Sequence, residues 1–200
     1  MSTPTPKFSS APSYDHEFFE HLYTGQVDPW SVLTSAYERD KYEATLQALS
    51  KPRYRHALEL GCSIGGLTRL LATRCDAVTA VDTSATALLR ARQLCDAPNV
   101  TFVQAHLPDG DWGGSYDLVV LSEVLYYFSI PALVRLADRL SKVVMPGTEF
   151  VVAHWTGETD YPLTGDRATE LFQSLMRADL RSRTRHPKYR LESWMASGTS

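Results

Sequence analysis

Three carboxylates, each at the end of a short apolar run or just beyond it, are where this chain could do chemistry: Glu59, Asp82 and Glu123. Glu59 stands before the turn Gly61-Cys62-Ser63-Ile64-Gly65-Gly66, whose small residues let a strand pass directly into a helix and let a ligand approach the main chain. Asp82, with Thr83 beside it, closes the next apolar run, where a carboxylate can accept both hydroxyls of a ribose. The pair implies an adenosine pocket. A pyrophosphate there would be repelled by Glu59 and crowded by the Cβ of Ser63, which occupies the place of a dinucleotide site's second glycine. A ligand with an ammonium group and no phosphate suits both residues, and S-adenosylmethionine has that chemistry.

Glu123 lies in Asp117-Leu118-Val119-Val120-Leu121-Ser122-Glu123-Val124-Leu125-Tyr126-Tyr127, a strand that ends about Ser122 at the edge where such sheets bind ligands. We expect Glu123, Tyr126 and Tyr127 to line the reaction cleft, with Ser122 toward the cofactor. Glu123 can orient an amine or take its proton, followed as candidates by His154 and then by the two tyrosines. Ala105, His106 and Leu107 follow the third strand, where main-chain groups can meet an adenine edge. Trp30 and Arg39 precede the sheet in a segment placed to fold over the cofactor, and Arg39 can pair a ligand carboxylate bidentately.

These positions require an alternating α/β chain. Strands are read at 56–60, 77–81, 100–103, 116–121 and 148–154, with helices near 65–73, 84–94 and 131–143 between them. Short apolar runs separated by helix-length segments imply right-handed crossovers and a parallel sheet. Ser35-x-x-Glu38 is a capping box opening a helix whose apolar face carries Tyr42, Leu46 and Leu49. After a helix at 164–176, the stretches 180–185 and 189–194 alternate around His186-Pro187-Lys188, as an antiparallel hairpin does. Residues 13–196 read as one domain in which 13–50 form a helical lid, with tails at 1–12 and 197–200.

Composition bounds the partners. Two hundred residues at 44% hydrophobic content suffice for one core, and a net charge of −3 gives no grip on nucleic acid. No apolar run is long enough to span a membrane. Three cysteines without C-x-x-C spacing indicate neither a disulfide framework nor zinc, so the plain reading is a reduced, cytoplasmic enzyme without metal.

Glu59-x-Gly61-x-Ser63-x-Gly65, Asp82, the 117–127 strand and Met145-Pro146-Gly147 together resemble class I S-adenosylmethionine-dependent methyltransferases. Asp28-Pro29-Trp30, Tyr37-Glu38-Arg39-x-Lys41-Tyr42, the 58–68 turn and Leu121 to Tyr127 resemble more closely the nodulation protein S (NodS) N-methyltransferases. The resemblance implies a Rossmann-like, mostly parallel seven-stranded sheet with an antiparallel C-terminal hairpin and helices on both faces. It also implies methylation of the free amine of a deacetylated chitooligosaccharide in Nod factor synthesis, with S-adenosylhomocysteine as the other product. Trp155 to Gly165 would then help form a saccharide groove. The Asn/Asp-Pro-Pro-Tyr/Phe motif of nucleobase and glutamine methyltransferases is absent from 122–125. The competing readings are another small-molecule methyltransferase, a NAD-dependent oxidoreductase and a cofactor-binding scaffold without turnover.

Overall fold

The computed structural model describes residues 12–197, so the expected tails, Pro12 and Ser197 apart, lie outside the described residues. The sheet contains β1 (Tyr54–Leu60), β2 (Cys75–Asp82), β3 (Val100–Gln104), β4 (Tyr116–Ser122), β5 (Val144–Trp155), β6 (Ala178–Arg185) and β7 (Tyr189–Ala196). Their spatial order is β3-β2-β1-β4-β5-β7-β6. The first five pair in parallel, and β7 is antiparallel to both β5 and β6. The order reverses between β1 and β4, which opens a crevice at the carboxyl ends of these strands.

Burial on both faces explains the continuous apolar runs. Leu58, Leu60, Val119, Leu121, Phe150 and Val152 point to one face. They pack there with residues of α5 (Ile130–Ser141) and α6 (Gly165–Met176). Ala57, Leu118, Val120 and Val151 point to the other, against residues of α3 (Thr68–Leu71) and α4 (Ala85–Leu94). At the outer edge, β6 exposes every residue after Ala178.

Two elements differ from the sequence reading. The helix expected over 65–73 is only the single turn α3, because Gly65 at φ +83° cannot continue a right-handed helix. The fifth strand begins at Val144, four residues early, with a register irregularity where it meets β4.

Before the sheet come α1 (His16–Gly25) and α2 (Ala36–Gln47). Ser35 caps α2 by accepting from the Glu38 N–H at 3.4 Å, but the Glu38 side chain turns to Lys41 instead of completing the box. Tyr42, Leu46 and Leu49 pack on the core as expected, the first two only partly buried, and the buried residues of α2 itself are Glu38, Lys41 and Thr45. Among the described residues, no helix is long and apolar enough to cross a membrane. Nor does any group of three or more His, Cys, Asp or Glu among them suit a metal ion.

Candidate active site

The crevice at the switch point is a cavity of about 540 Å³. Its floor is built by the turn after β1. Gly61, Ser63 and Gly65 all have positive φ, and a Cβ on Gly65 would lie 3.1 Å from that of Ala91. Gly65 thus lets α4 pack close, and it does not line the cavity.

Glu59 and Asp82 reach the floor from adjacent strands, 3% and 6% exposed. Thr68 Oγ1 donates to Glu59 Oε2 at 2.6 Å. The Ser63 and Ser84 N–H groups donate to the two Asp82 oxygens at 2.8 and 2.9 Å, which leaves each oxygen a further lone pair. Burial pushes the Glu59 carboxyl up to about 8, with the nearby Asp82 adding to the shift. Burial likewise raises Asp82. Neither has a cationic partner among the described residues. Two buried carboxylates without a cation fit a ligand that brings positive charge.

One wall is α1 with its flanks. The Tyr23 hydroxyl donates to Ser63 Oγ at 2.5 Å, and its ring meets Trp30 edge-on at 5.5 Å. Glu20 accepts from Ser84 Oγ, Thr86 Oγ1 and the Thr86 N–H, fastening α1 to the start of α4. His16 packs on His106, which shares a hydrogen bond with Thr83 Oγ1 at 3.0 Å. Trp30, Thr83, His106 and Leu107 line the cavity as expected, whereas Ala105 is buried behind it, its N–H bonded to the Asp82 carbonyl.

The other end gathers Ser122, Glu123, Tyr126 and Tyr127 with Tyr37, Glu38, Trp155 and Tyr161. Strand alternation would send Glu123 into the core with Val119 and Leu121. A backbone φ of +55°, costly for a residue with a Cβ, turns it to the cavity instead. Its Oε1 accepts from Lys41 Nζ at 2.5 Å, and its Oε2 from the Tyr126 hydroxyl at 2.6 Å and the Trp155 N–H at 2.9 Å. Burial alone would raise this carboxyl; Lys41 foremost outweighs it and holds Glu123 below the usual range. The Tyr37 and Ser122 hydroxyls are buried without a hydrogen-bond partner among the described residues, and both residues line the cavity.

Two expected residues are elsewhere. His154 follows the alternation of Phe150 and Val152 into the core, fully buried. There its Nε2 accepts from the Leu125 N–H at 3.0 Å, and its Nδ1 faces Thr169 on α6. Burial lowers it to about 4, so it is a neutral acceptor without access to the cavity. Arg39 points to solvent beside Asp40, its side chain 66% exposed, because α2 turns Glu38 and Lys41 to the sheet instead.

Tyr37, Glu38 and Lys41 enter the sequence reading only through the family motif and the capping box, and neither they nor Tyr23 read there as site residues. Lys41 stands in a charged run that reads as a solvated helix face, and nothing local marks which charge turns inward.

The family model for nodulation protein S (NodS) matches residues 15–151. The chain belongs to the NodS family. Nodulation protein S of Sinorhizobium fredii NGR234 is 32% identical over 134 residues, which cover 66% of this chain and 62% of that protein. A solved structure from Pseudomonas syringae is 33% identical, covers 80% of this chain and 99% of its own, and has a TM-score of 0.72. The N-methyltransferase NodS from Bradyrhizobium japonicum WM9, solved with S-adenosylhomocysteine, is 21% identical. It covers 90% of this chain and 97% of its own at a TM-score of 0.80. The fold is therefore the Rossmann-like one of class I methyltransferases. This chain spans between 49% and 62% of the length of the curated NodS relatives it matches.

Proposed function

We propose that this NodS-family chain is an S-adenosylmethionine-dependent N-methyltransferase whose acceptor is the free amine of a deacetylated chitooligosaccharide. The observation that carries the cofactor is the Glu59–Asp82 pair, buried without a cation and opening into the same cavity as Glu123. Glu59 would hold the cofactor's ammonium and Asp82 its ribose hydroxyls, with His106 and Leu107 beside the adenine. The bound cofactor supplies a methyl group already activated on a sulfonium.

The protein's part is alignment, exclusion of water and control of a proton. Tyr126, Tyr127, Trp155 and Tyr161 form an aromatic wall against bulk water, and flat rings of this kind pack well on sugar faces. An amine can attack only through its lone pair. Glu123 accepts an N–H of the acceptor, turns that lone pair toward the methyl group and is the first candidate to receive the released proton. Tyr126 shares the same carboxylate and holds it still. The partnerless hydroxyls of Tyr37 and Ser122 support an acceptor rich in polar groups. The acceptor's identity rests on family likeness.

A methyl-transfer assay comparing chitooligosaccharides with and without a free terminal amine tests the acceptor. Transfer only to the free amine is expected, and equal rates on both would overturn it. Calorimetry with S-adenosylhomocysteine against NADH tests the cofactor, and binding of NADH alone would overturn that half of the reading.

A further inference from the structure

Lys41 is not exposed at all, yet it carries an ammonium group. Its Nζ donates to Glu38 Oε1 at 2.9 Å and Glu123 Oε1 at 2.5 Å, and lies 4.9 Å from the centroid of the Tyr37 ring. Removing an ammonium from water is costly, and two carboxylates offset that cost. A tether between α2 and the sheet could be made by any apolar pair. This one instead joins Glu123, a cavity residue whose backbone is held in the left-handed region.

We propose that Lys41 is a positioning residue of the transfer site, acting through Glu123 to keep that carboxylate ionised and aimed at the acceptor amine. The inference rests on the methyltransferase reading above and deepens it. A carboxylate has about four acceptor sites. Lys41, Tyr126 and the Trp155 N–H fill three among the described residues, leaving the last on Oε1, the oxygen Lys41 holds. The direction of that lone pair is therefore set by where Lys41 sits.

The groups facing Glu123 are Lys41, Glu38, Tyr37 and Tyr42 from α2, Tyr126 and Tyr127 from the short helical turn 125–127, and His154 from β5. Lys41 supplies the positive charge, since His154 is neutral. Without it, Glu38 and Glu123 repel each other in a buried setting, and Glu123 holds a proton to higher pH.

The test is K41M, with K41R as the charge-conserving control. In K41M, kcat falls about 10- to 100-fold through misplacement, while affinity for S-adenosylhomocysteine is retained. The acid limb of kcat moves up by about one pH unit or more as the opposite charge is lost. K41R keeps that limb at its original pH. A second readout needs no turnover: the NMR titration of the 13Cδ-labelled Glu123 carboxyl, identified by its loss in E123Q, moves up in K41M and not in K41R. If K41M does not fold, K41M/E38L removes both buried charges, and the same titration is read there.

A melting temperature that drops while the acid limb and the Glu123 titration both stay put would reduce Lys41 to a strut and overturn the proposal. Failure of the unaltered protein to bind S-adenosylhomocysteine would overturn the methyltransferase reading itself. The carboxyl titration judges the Lys41–Glu123 coupling apart from that.

Discussion

The Tyr23 hydroxyl and Ser63 Oγ meet at 2.5 Å, joining the first helix of the chain to the turn after its first strand. Tyr23 is buried, and Ser63 holds a left-handed backbone, so the bond supports the turn in the shape that shields the cavity floor. Tyr23→Phe keeps the ring against Trp30 and removes only this bond. Affinity for S-adenosylhomocysteine should fall about 3- to 10-fold, the worth of one net hydrogen bond. Titration calorimetry reads it, and unchanged affinity would separate α1 from cofactor binding.

Glu59 makes the protein's pH response unusual. Its folded-state value of about 8 lies above the ordinary 4.5. Between these values the folded chain keeps a proton that the unfolded chain has released. Stability from this group therefore falls as pH rises through that window and levels off above it. Glu59→Gln should flatten the decline in melting temperature. An ammonium ligand favours the carboxylate, so binding near pH 7 should release a proton and tighten as pH rises. Calorimetry in two buffers of different ionisation enthalpy measures that proton. The Gln variant should lose it, together with about 10- to 100-fold in affinity.

His154 titrates in the opposite sense. Its folded value near 4 lies below the ordinary 6.5, so the unfolded chain binds a proton in that window and the folded chain does not. Stability from this group is present above pH 6.5 and lost as pH falls toward 4. His154→Leu leaves the Leu125 N–H without an acceptor and should cost about 1–3 kcal/mol at pH 7. That penalty should shrink in acid, while turnover per folded molecule stays unchanged. Denaturant melts at pH 7 and 5, paired with kcat, check both parts, and a collapse of kcat in a fully folded variant would return His154 to the chemistry.

Arg39→Ala should be nearly silent, within about 0.5 kcal/mol in both stability and cofactor affinity, as for most exposed charges. A tenfold affinity loss in the same calorimetric assay would restore its assigned role as a carboxylate clamp.

The sheet and the cofactor end were legible because their signals are local. Apolar runs locate β1, β2 and β4, and Glu59 and Asp82 stand where those runs meet the turn and the strand end. The acceptor end was legible only in part. Glu123 was found by its place after β4, though its left-handed backbone, which makes it face the cavity, has no signature in a Glu. His154 occupies a similar strand end, but the period-two alternation that buries Phe150 and Val152 buries it too. Lys41 was hidden for a different reason. Within Tyr37-Glu38-Arg39-Asp40-Lys41 every charge looks alike, and the partner that draws Lys41 inward lies 82 positions away in the chain.

The outer strand β6 bears on how copies of this protein behave at high concentration. A row of free N–H and C=O groups beside exposed Leu180 is a template for cross-molecule β-pairing and aggregation. Arg181, Arg183 and Arg185 line that row, with Arg183 and Arg185 ion-paired to Glu192 and Asp166. With Arg183 and Arg185 balanced by carboxylates, it is the bulk of the three side chains and the charge of Arg181 that oppose a second edge. The fold thus guards this antiparallel border with arginine, and concentrated salt, by screening the unbalanced charge, weakens that guard.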